Sequence, residues 1–596
     1  MVEKKRVILS GNEAIARGAY EGGVKVAAAY PGTPSTEILE SLSKYDGLHV
    51  EWSPNEKVAL EVAMGAAFGG ARALVAMKHV GVNVAADPLF TLSYTGLRGG
   101  LVLVTADDPE MHSSQNEQDN RHYAKFAKVP MLEPSDSQEA KDFTILAFEL
   151  SEKFDTPVML RTTTRVSHSQ SVVELGDRKE PPLKLGLVKD PKKFVMLPAN
   201  ARLRHPLVEK RMAELKRLAE TFAGNRIEWG DKQVGIITSG IAYQYAKEIM
   251  PQASFLKLGM VYPLPSEMIK AFAKEVEKLF VVEELDPFIE EFVRTLGLDV
   301  VGKSVFPLCG ELTPSIVARG LKGEVVPPPG EIIQNLPPRP PIMCPGCPHR
   351  GIFTILSKLK LFVTGDIGCY TLGFLPPLQA IDTCVCMGAS IGHALGLDKA
   401  LGEEAQGKVV AVIGDSTFLH SGITPLLDVV YNKGKVTLII LDNGTTAMTG
   451  RQDHPGTGYT LKGEETFRVD LAKLAKALGV KYVRIVNPYQ LKATERIIKK
   501  ELQRPAPSVI ISRAPCVLSR RERMVSGRPF LVDPDLCRGC RACLQLGCPA
   551  IAWEEGNHDQ EGRKKKGRAV IDKFLCNGCT LCVQICKFAA IKGEHE

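Results

Sequence analysis

The chain of 596 residues is too long for one hydrophobic core and predicts about four domains. With 44% hydrophobic and 24% charged residues its composition is typical of a globular protein, and its formal net charge of +7 is mild for this length. No stretch combines dense lysine and arginine with interleaved aromatic residues, which argues against nucleic-acid binding. The apolar run Val7–Leu9 is too short for a signal peptide, and no run of about 20 apolar residues occurs, so we expect a cytoplasmic chain that does not enter the membrane.

Residues 1–185 alternate short apolar runs with helical stretches. Each run ends in Gly, Pro, Thr or Asp, as parallel strands do where they enter loops at their carboxyl ends. The runs are VILSG, VKVAAAYPG, ALVAMKHVG, GLVLVTADD and TPVMLRTTT. This pattern predicts an α/β domain. Residues 186–230, rich in Lys, Arg and Pro, predict a connector with a following helix.

The rest of the chain divides by composition into four further segments. Residues 231–325 are a second α/β block, with strands predicted in QVGIITSG, ASFLKLGMVYPL and KLFVVEEL. Residues 326–343 are proline-rich and predict a semi-rigid linker. Residues 344–520 are a third α/β block, with strands in KVVAVIGD and KVTLIILDN, and residues 528–596 form a cysteine-rich tail.

Polar side chains follow two predicted strands of the third block. One strand ends in Gly414-Asp415 and the next in Asn443, with a helical stretch between them, which places both side chains at neighbouring carboxyl ends. Asp415, the Asn443 amide oxygen and a carbonyl near Thr445 are ligands that Mg²⁺ shares with diphosphate oxygens, and Gly414 would let a diphosphate approach. This resembles the thiamin-diphosphate motif Gly-Asp-Gly followed by Asn, with Ser416 at the third position. The alternative is a pair of ordinary strand-end caps.

Thiamin chemistry also needs a carboxylate beside the aminopyrimidine ring, where it favours the imino tautomer. The stretch WSPNEKVALEVAMGAA offers Glu56, at the start of a helix whose small residues suit close packing. The alternative is that Glu56 is only a favourable charge at a helix N-terminus.

Two glycine- and cysteine-containing loops, CPGCPHRG and GDIGCYTLG, precede the diphosphate motif, together with the small-residue helix CMGASIGHALG. Two interpretations stay open for their cysteines. They anchor a further iron–sulfur cluster with a fourth cysteine from APCVLS, or they are pocket loops with buried free thiols. The residues concerned are Cys344, Cys347, Cys369 and Cys516.

The tail contains eight of the fifteen cysteines, in two matching runs. In two-cluster ferredoxins, three cysteines of each run bind one 4Fe-4S cluster and the fourth binds the other cluster. This rule predicts a first set of Cys537, Cys540, Cys543 and Cys586. It predicts a second set of Cys576, Cys579, Cys582 and Cys548. The first run has one residue more than the second between its last two cysteines, and the rule places that residue in the segment that crosses between clusters. The alternative is a pair of zinc sites.

Several motifs together resemble the alpha subunits of indolepyruvate:ferredoxin oxidoreductases, which are thiamin-diphosphate-dependent 2-oxoacid:ferredoxin oxidoreductases. They are YPGTPSTE, NEKVALEVAMGAA, MCPGCPHR, GDIGCYTLG, GDSTFLHSGI and DNGTTAMTGRQDHPGTG. The resemblance covers essentially the whole chain. It implies an α/β multidomain fold with a pyrimidine-binding domain, a transketolase-C-like domain, a diphosphate domain and a two-cluster ferredoxin-like α+β domain.

The resemblance also implies roles for individual residues. Glu56 matches the activating glutamate, Thr33 the residue that contacts the 2-oxoacid carboxylate, and Arg121 a substrate-binding arginine. Gly414 and Ser416 fall within the cofactor-binding motif. The positions that match metal ligands are Asp415, Asn443 and Thr445.

The implied activity is the oxidative decarboxylation of aryl pyruvates such as indolepyruvate, with coenzyme A as co-substrate. Electrons pass singly through 4Fe-4S clusters to ferredoxin, and a separate beta subunit completes an αβ or α₂β₂ assembly. Three alternatives remain at this stage. They are the same chemistry on pyruvate or a branched-chain 2-oxoacid, a non-oxidative thiamin decarboxylase, and an electron-transfer subunit with a degenerate thiamin fold.

Overall fold

The structure, a computed structural model, describes residues 5–179, 185–323, 336, 340–519, 521, 527–556 and 567–593. The chain forms two compact units, Met1–Gln334 and Asn335–Glu596, called unit 1 and unit 2 below. Most of the predicted linker 326–343 lies outside the described residues. Among the described residues, every helix is too short or too polar to cross a membrane.

Unit 1 contains thirteen described strands and fourteen described α-helices, besides a 3₁₀ turn at Pro109–Met111. The strands are β1 (Arg6–Ser10), β2 (Val26–Ala29), β3 (His49–Trp52), β4 (Ala73–Lys78), β5 (Leu101–Asp107), β6 (Met131–Leu132), β7 (Val158–Thr163), β8 (Gln170–Glu174), β9 (Arg226–Glu228), β10 (Asp231–Ser239), β11 (Ala253–Leu258), β12 (Met260–Tyr262) and β13 (Lys278–Val282). The helices are α1 (Gly11–Glu21), α2 (Thr36–Leu42), α3 (Glu56–Phe68), α4 (His79–Val84), α5 (Ala86–Thr95), α6 (Arg121–Ala127), α7 (Ser137–Phe154), α8 (Thr164–His168), α9 (Pro191–Phe194), α10 (Pro198–Ala219), α11 (Gly240–Ile249), α12 (Ser266–Lys274), α13 (Phe288–Thr295) and α14 (Pro314–Lys322).

The largest sheet of unit 1 has seven strands in the order β12-β6-β7-β5-β4-β2-β3. All neighbouring strands are parallel except β6 and β12. Every residue of β5 is buried, because helices cover both faces of such a sheet and its strands become continuous apolar runs. The carboxyl ends of β2, β3, β4 and β5 therefore lie at one edge of the sheet, where the loop that contains Thr33 and the loop that leads to Glu56 begin.

The predicted strand VILSG is β1, but it does not join the parallel sheet. It pairs antiparallel with β8 in a separate two-stranded sheet. Its residues alternate in exposure, and Ile8 is 67% exposed. A strand with one face in water does not fit a sheet that is covered on both sides, which corrects the prediction for this segment.

The second block of unit 1 forms a four-stranded sheet in the order β13-β10-β11-β9. Its strand β9 comes from the predicted connector 186–230, so this segment contributes to the sheet as well as to α9 and α10. Strand β12 leaves this block and extends the seven-stranded sheet through β6. The two predicted α/β blocks of unit 1 are thus joined by a shared strand.

Unit 2 is built on a five-stranded parallel sheet in the order β14-β15-β16-β18-β17. The tail adds two antiparallel pairs, β19 with β22 and β20 with β21. The strands are β14 (Phe362–Thr364), β15 (Val409–Gly414), β16 (Thr437–Asp442), β17 (Tyr482–Val486), β18 (Ser508–Arg513), β19 (Phe530–Val532), β20 (Ile551–Glu554), β21 (Arg568–Ile571) and β22 (Ile591–Gly593). The helices are α15 (His349–Leu359), α16 (Ala389–Leu401), α17 (Asp415–Thr417), α18 (Ile423–Tyr431), α19 (Leu471–Ala477), α20 (Leu491–Leu502) and α21 (Leu581–Ile585).

Candidate functional site

The loop after β2 places Thr33 at the carboxyl edge of the seven-stranded sheet. Ser35 donates its hydroxyl proton to the carbonyl of Gly32 at 2.9 Å, and the side chain of Asn12 donates to the carbonyl of Pro34 at 2.6 Å. These bonds hold the backbone on both sides of Thr33, whose own side chain remains partly exposed. The loop around Thr33 is therefore held in place by hydrogen bonds, while Thr33 itself remains partly exposed.

Glu56 is the first residue of α3, which begins beyond the end of β3. Asn55 caps the helix by accepting from the Val58 N–H at 2.9 Å. Glu56 is only 5% exposed, and its side chain packs on Gly81, where an added Cβ would lie 2.8 Å from the Glu56 Cγ. A carboxylate needed only as a helix-terminal charge would gain by staying in water. The burial of Glu56 therefore favours a specific role over the surface-charge alternative.

Arg121, predicted to bind substrate, is fully buried. Each of its three guanidinium nitrogens donates within one network, which includes the carboxylates of Asp119 and Glu283 and the carbonyls of Glu284 at 2.9 Å and Asp286 at 3.0 Å. Two carboxylates thus neutralise a charge that solvent does not reach. We correct the prediction: Arg121 joins α6 to the loop between β13 and α13, and a substrate carboxylate has no access to it.

Asp415 in unit 2 follows β15 and is 3% exposed. Its Oδ1 accepts from the Ser416 N–H at 2.8 Å, and its Oδ2 accepts from the N–H groups of Asn443 at 3.2 Å and Gly444 at 2.8 Å. Burial alone would raise the pKa of Asp415, but His454 and these N–H donors lower it below its ordinary value. The carboxylate is therefore charged, and it joins the ends of β15 and β16 as the sequence predicted.

Asn443 follows β16 on the strand adjacent to β15. Its Oδ1 accepts from the Thr445 N–H at 3.1 Å, and its Nδ2 donates to Nε2 of His349 at 3.2 Å. Burial lowers the pKa of His349 to about 4, so its imidazole is neutral and can accept that bond. His349 therefore fixes the amide orientation, and Oδ1, which accepts one hydrogen bond from Thr445, has a second lone pair that a cation can use.

The two small residues of the motif have packing reasons that the sequence did not reveal. An added Cβ at Gly414 would lie 2.7 Å from Cε1 of Tyr370, so packing against this ring also requires a glycine here. The side chain of Ser416 turns to Thr446, with 2.9 Å between the two hydroxyl oxygens. The serine is thus accommodated without displacing Asp415.

The residues present fit a magnesium diphosphate. The oxygens of Asp415 and Asn443 and the backbone near Thr445 form a hard-oxygen donor set of the kind Mg²⁺ requires. His454 accepts from the Gly456 N–H through Nδ1 at 3.1 Å, which leaves the proton on Nε2. That buried Nε2 faces Oδ2 of Asp415 at 3.4 Å, so His454 supports the carboxylate that would hold the cation.

The third set of cysteines, Cys344, Cys347, Cys369 and Cys516, is brought together in unit 2. Burial raises the pKa of Cys347 to about 12 and that of Cys369 to about 11. Neighbouring thiols of the set raise both pKa values further. Cys344 and Cys369 act on the pKa of Cys347, and Cys516 and Cys344 act on that of Cys369. Such mutual influence requires proximity. The backbone N–H of Cys516 also donates to the carbonyl of Asn443 at 3.0 Å, so the set adjoins the diphosphate motif.

The eight tail cysteines surround two cavities. One cavity is lined by the second set together with apolar side chains of β20, β21 and α21, and the other is lined by the first set with Trp553 and Phe588. The second set comprises Cys548, Cys576, Cys579 and Cys582. The first set comprises Cys537, Cys540, Cys543 and Cys586. In each cavity the fourth cysteine comes from the other run, which is the crossed grouping expected from the spacing.

The sulfur spacing does not fit single zinc ions. Sulfur atoms bound to one zinc lie within about 4.6 Å of one another, twice the Zn–S bond length. Across the described ranges, two groups of three or more ligand atoms lie within 4.8 Å of one another, and both consist of carboxylates and histidine in unit 1. No cysteine belongs to either group. The wider spacing suits ligands of a multi-iron cluster.

The extra residue of the first run is accommodated at Gly547. The run forms a 3₁₀ turn over Ala542–Leu546, and Gly547 then adopts a left-handed backbone with φ of +61°. An added Cβ there would lie 2.8 Å from Cδ of Pro377. The turn presents the Leu546 carbonyl to Arg350, whose Nη1 donates to it at 2.6 Å. The extra residue thus lies in the crossing segment, outside the part that surrounds either cavity.

Arg350 and Tyr489 lie between the second and third sets. Arg350 is 2% exposed, lines the cavity of the second set and donates through Nη2 to the carbonyls of Met343 at 2.7 Å and Cys344 at 3.2 Å. Tyr489 donates to the carbonyl of Gly346 at 2.7 Å. Burial raises its pKa, and thiols of both sets raise it further. These two residues connect the loop of Cys344 to the ferredoxin-like domain.

Sequence reasoning missed the roles of His349, Arg350 and His454, and of Lys78 in unit 1. Each is a single charged or titratable residue beside a motif that was recognised. His349 and Arg350 directly follow the cysteine pair in CPGCPHRG, His454 follows the asparagine motif, and Lys78 ends the buried run ALVAMK. A polar residue at the carboxyl end of a buried strand, or beside metal-ligating cysteines, is the signal that could have identified them.

Models of known protein families match three parts of the chain. The model described as "Pyruvate flavodoxin/ferredoxin oxidoreductase, thiamine diP-bdg" matches residues 17–214. The model "Thiamine pyrophosphate enzyme, C-terminal TPP binding domain" matches residues 366–512, and "4Fe-4S dicluster domain" matches residues 530–587. The thiamin-binding domains and the dicluster domain expected from the motifs are thereby confirmed.

Curated relatives extend this similarity to almost the full length. The chain is 44% identical over 588 residues to "Indolepyruvate oxidoreductase subunit IorA" of Archaeoglobus fulgidus, covering 93% of each chain. It is 45% identical to the protein of the same name from Methanothermobacter marburgensis, covering 99% of this chain and 97% of the relative. It is 43% identical to that of Thermococcus kodakarensis, with coverage of 99% and 97%.

Proposed function

This chain belongs to the family of indolepyruvate oxidoreductase IorA subunits, and from that premise we propose that it oxidatively decarboxylates aryl pyruvates, indolepyruvate among them. The 2-oxoacid loses CO₂ and two electrons, and coenzyme A receives the acyl group. The electrons leave one at a time to ferredoxin, a one-electron acceptor. The family's thiamin-binding and 4Fe-4S domains supply the two kinds of cofactor that such a reaction needs.

Thiamin diphosphate, when bound, supplies a nucleophilic carbon and an electron sink for decarboxylation. Asp415, Asn443 and the Thr445 backbone would hold the Mg²⁺ of its diphosphate, with His349 orienting the amide of Asn443. Buried Glu56 would exchange a proton with the aminopyrimidine, and Thr33 would receive the substrate carboxylate.

The observation that carries the proposal is the hydrogen bond from the Cys516 N–H to the Asn443 carbonyl. It joins a thiol of the third set to the residue that would hold the diphosphate cation. A cluster bound by Cys344, Cys347, Cys369 and Cys516 would therefore be the first electron acceptor. The second set is connected to that loop through Arg350, and the first set follows within the same dicluster domain.

A partner subunit is implied by the naming of the relatives as subunits. We propose an αβ or α₂β₂ assembly with the beta subunit of the same enzyme, and ferredoxin as the acceptor that docks on the dicluster domain.

The decisive test is anaerobic reduction of a viologen dye by the chain co-expressed with its beta subunit. Indolepyruvate, phenylpyruvate, pyruvate and 2-oxoisovalerate are compared, each with and without coenzyme A, and acyl-coenzyme A and CO₂ are quantified. We expect the aryl pyruvates to be used fastest. Faster turnover of pyruvate would overturn the substrate assignment, and CO₂ release without dye reduction would identify a non-oxidative decarboxylase.

Iron analysis tests the third set separately. Three 4Fe-4S clusters require about twelve iron atoms per chain and two require about eight. Replacing Cys516 by serine is expected to remove about four iron atoms while thiamin diphosphate stays bound. The exposed Cys309 in unit 1 provides the matched control, because Cys309→Ser should leave iron content and dye reduction unchanged. Wild-type iron near eight would refute the third cluster.

A further inference from the structure

Lys78 is the last residue of β4, between β2 and β5 in the seven-stranded sheet. Its side chain lies over Gly32, the residue directly before Thr33. A Cβ added to Gly32 would lie 3.2 Å from Cγ and 3.3 Å from Cδ of Lys78. The lysine stem therefore runs along the loop that presents Thr33, at the edge of the sheet where ligands of α/β proteins bind.

Ser113 connects the ammonium group of Lys78 to the loop that contains Thr33. Nζ of Lys78 donates to the carbonyl of Ser113 at 2.9 Å, and the hydroxyl of Ser113 donates to the carbonyl of Thr33 at 3.2 Å. Burial lowers the pKa of Lys78 to about 8, while Asp108 and Glu56 act to raise it. Lys78 is therefore still largely protonated at pH 7, and Glu56 is close enough to influence it.

The charge of Lys78 has no carboxylate partner in the described part of the chain. The acidic group with the strongest influence on it is Asp108. Oδ2 of Asp108 accepts from Ser113 and Ser114, and its Oδ1 accepts from Thr164. Lys78 thus donates one hydrogen bond, to the carbonyl of Ser113, and the other N–H groups of its ammonium remain available to a ligand. A largely buried cation without a counter-ion is costly, and an anionic ligand would relieve that cost.

We propose that Lys78 binds the carboxylate of the 2-oxoacid beside Thr33, in the role that the family resemblance implied for Arg121. The inference rests on the proposed function for its substrate class. Because Arg121 is neutralised and inaccessible, Lys78 is the cation beside Thr33 that remains available. A charge-assisted bond in a partly desolvated site selects 2-oxoacids over uncharged carbonyl compounds of the same shape. The carboxylate is held until it leaves as CO₂.

The test compares binding of a charged and an uncharged ligand to the holoenzyme with its beta subunit. L-phenyllactate has the substrate's carboxylate but no keto group, and L-phenyllactamide is its neutral analogue. Their dissociation constants are measured by ligand-induced shift of the thermal unfolding midpoint, which needs no turnover. Lys78→Met, which removes the charge at similar length, should weaken phenyllactate binding by roughly 10- to 100-fold and leave phenyllactamide unchanged.

Two further variants separate the charge from general damage. Lys78→Arg keeps the charge and should retain most of the phenyllactate affinity. The control is Lys303→Met, which also removes a partly buried ammonium bound to carbonyls, and it should bind both ligands as wild type does.

Unchanged phenyllactate binding in a folded Lys78→Met enzyme would overturn the inference, and so would an equal loss for both ligands. Failure of the wild type to reduce viologen with any aryl pyruvate would instead defeat the proposed function. The binding comparison still decides the role of Lys78 in that case.

Discussion

Replacing Arg350 by methionine should destabilise unit 2 and lower the reduction potential of the cluster in the second set. The guanidinium donates to the carbonyls of Leu546, Met343 and Cys344 at 2.6, 2.7 and 3.2 Å. Each bond from a charged donor is worth about 1.5–3 kcal/mol, but removing the arginine also removes the cost of burying its charge. We therefore expect a net loss of about 3–5 kcal/mol, because three carbonyls lose a buried donor at about 1–3 kcal/mol each and part of that loss is offset by the charge that is no longer buried.

The change in potential follows from the charge. Arg350 lines the cavity of the second set and acts to lower the pKa of Cys579, as a nearby cation does. A reduced cluster carries one more negative charge than an oxidised one, so the arginine stabilises reduction. Charges about 6–10 Å apart in a protein interior interact by roughly 1.7–2.8 kcal/mol, and removing one shifts a one-electron potential by roughly 70–120 mV. The midpoint should become more negative.

The assay is an anaerobic potentiometric titration of the holoenzyme followed by electron paramagnetic resonance, with thermal unfolding measured on the same samples. Arg350→Lys is the matched control, because it keeps the charge but not the planar set of donors. It should keep the midpoint near that of wild type while still losing stability. If Arg350→Met has the same reduction midpoint as the wild type, the electrostatic argument is refuted. If it has the same thermal unfolding temperature, the structural argument is refuted.

Three further predictions follow from single contacts. Asp415→Ala should abolish retention of thiamin diphosphate after gel filtration while iron content stays unchanged, and retained cofactor would contradict the site. Gly547→Ala should lower the free energy of unfolding by about 2–4 kcal/mol through its left-handed backbone and the contact with Pro377. Gly323→Ala, at a glycine that is also left-handed but whose added Cβ would meet open space, should cost only about 1–2 kcal/mol, and equal losses would contradict the packing argument. Arg121→Met should lower the free energy of unfolding by about 3–5 kcal/mol with an unchanged KM for aryl pyruvates, whereas a raised KM alone would restore a substrate role.

The parallel strands were predictable because burial on both faces leaves a direct mark in the sequence. Runs such as LVLVTAD in β5 are apolar throughout and end in turn or polar residues. The strand β1 has an equally apolar core but pairs elsewhere, because the choice of partner depends on β8, far along the chain. The three-residue β12 left no periodic signal, and its sheet is decided by tertiary contact with β6.

The cysteine groupings were predictable because three ligands of each set are close in sequence, so their spacing does not depend on distant parts of the chain. Asp415 and Asn443 were predictable for a similar reason, since both end adjacent parallel strands. The basic residue that we propose binds the substrate carboxylate was not predictable, because Arg121 and Lys78 both stand beside polar residues at the ends of predicted elements and the sequence does not distinguish them. Only the fold shows that one is surrounded by carboxylates and the other is not.

The pairing of β6 with β12 has a consequence for synthesis of the chain. Without β12, the two-residue strand β6 would be the open edge of the largest sheet in unit 1. Strand β6 becomes a sheet edge only after β7 has been made, and the ribosome then needs on the order of 5–20 s to add the roughly 100 residues between β7 and β12 at about 5–20 residues per second. For that interval the nascent chain carries an unprotected strand edge, the kind of surface that pairs with other chains. Chaperone occupancy on the ribosome should therefore rise once β7 has emerged and paired with β6, and fall once β12 has paired with β6 on its other side.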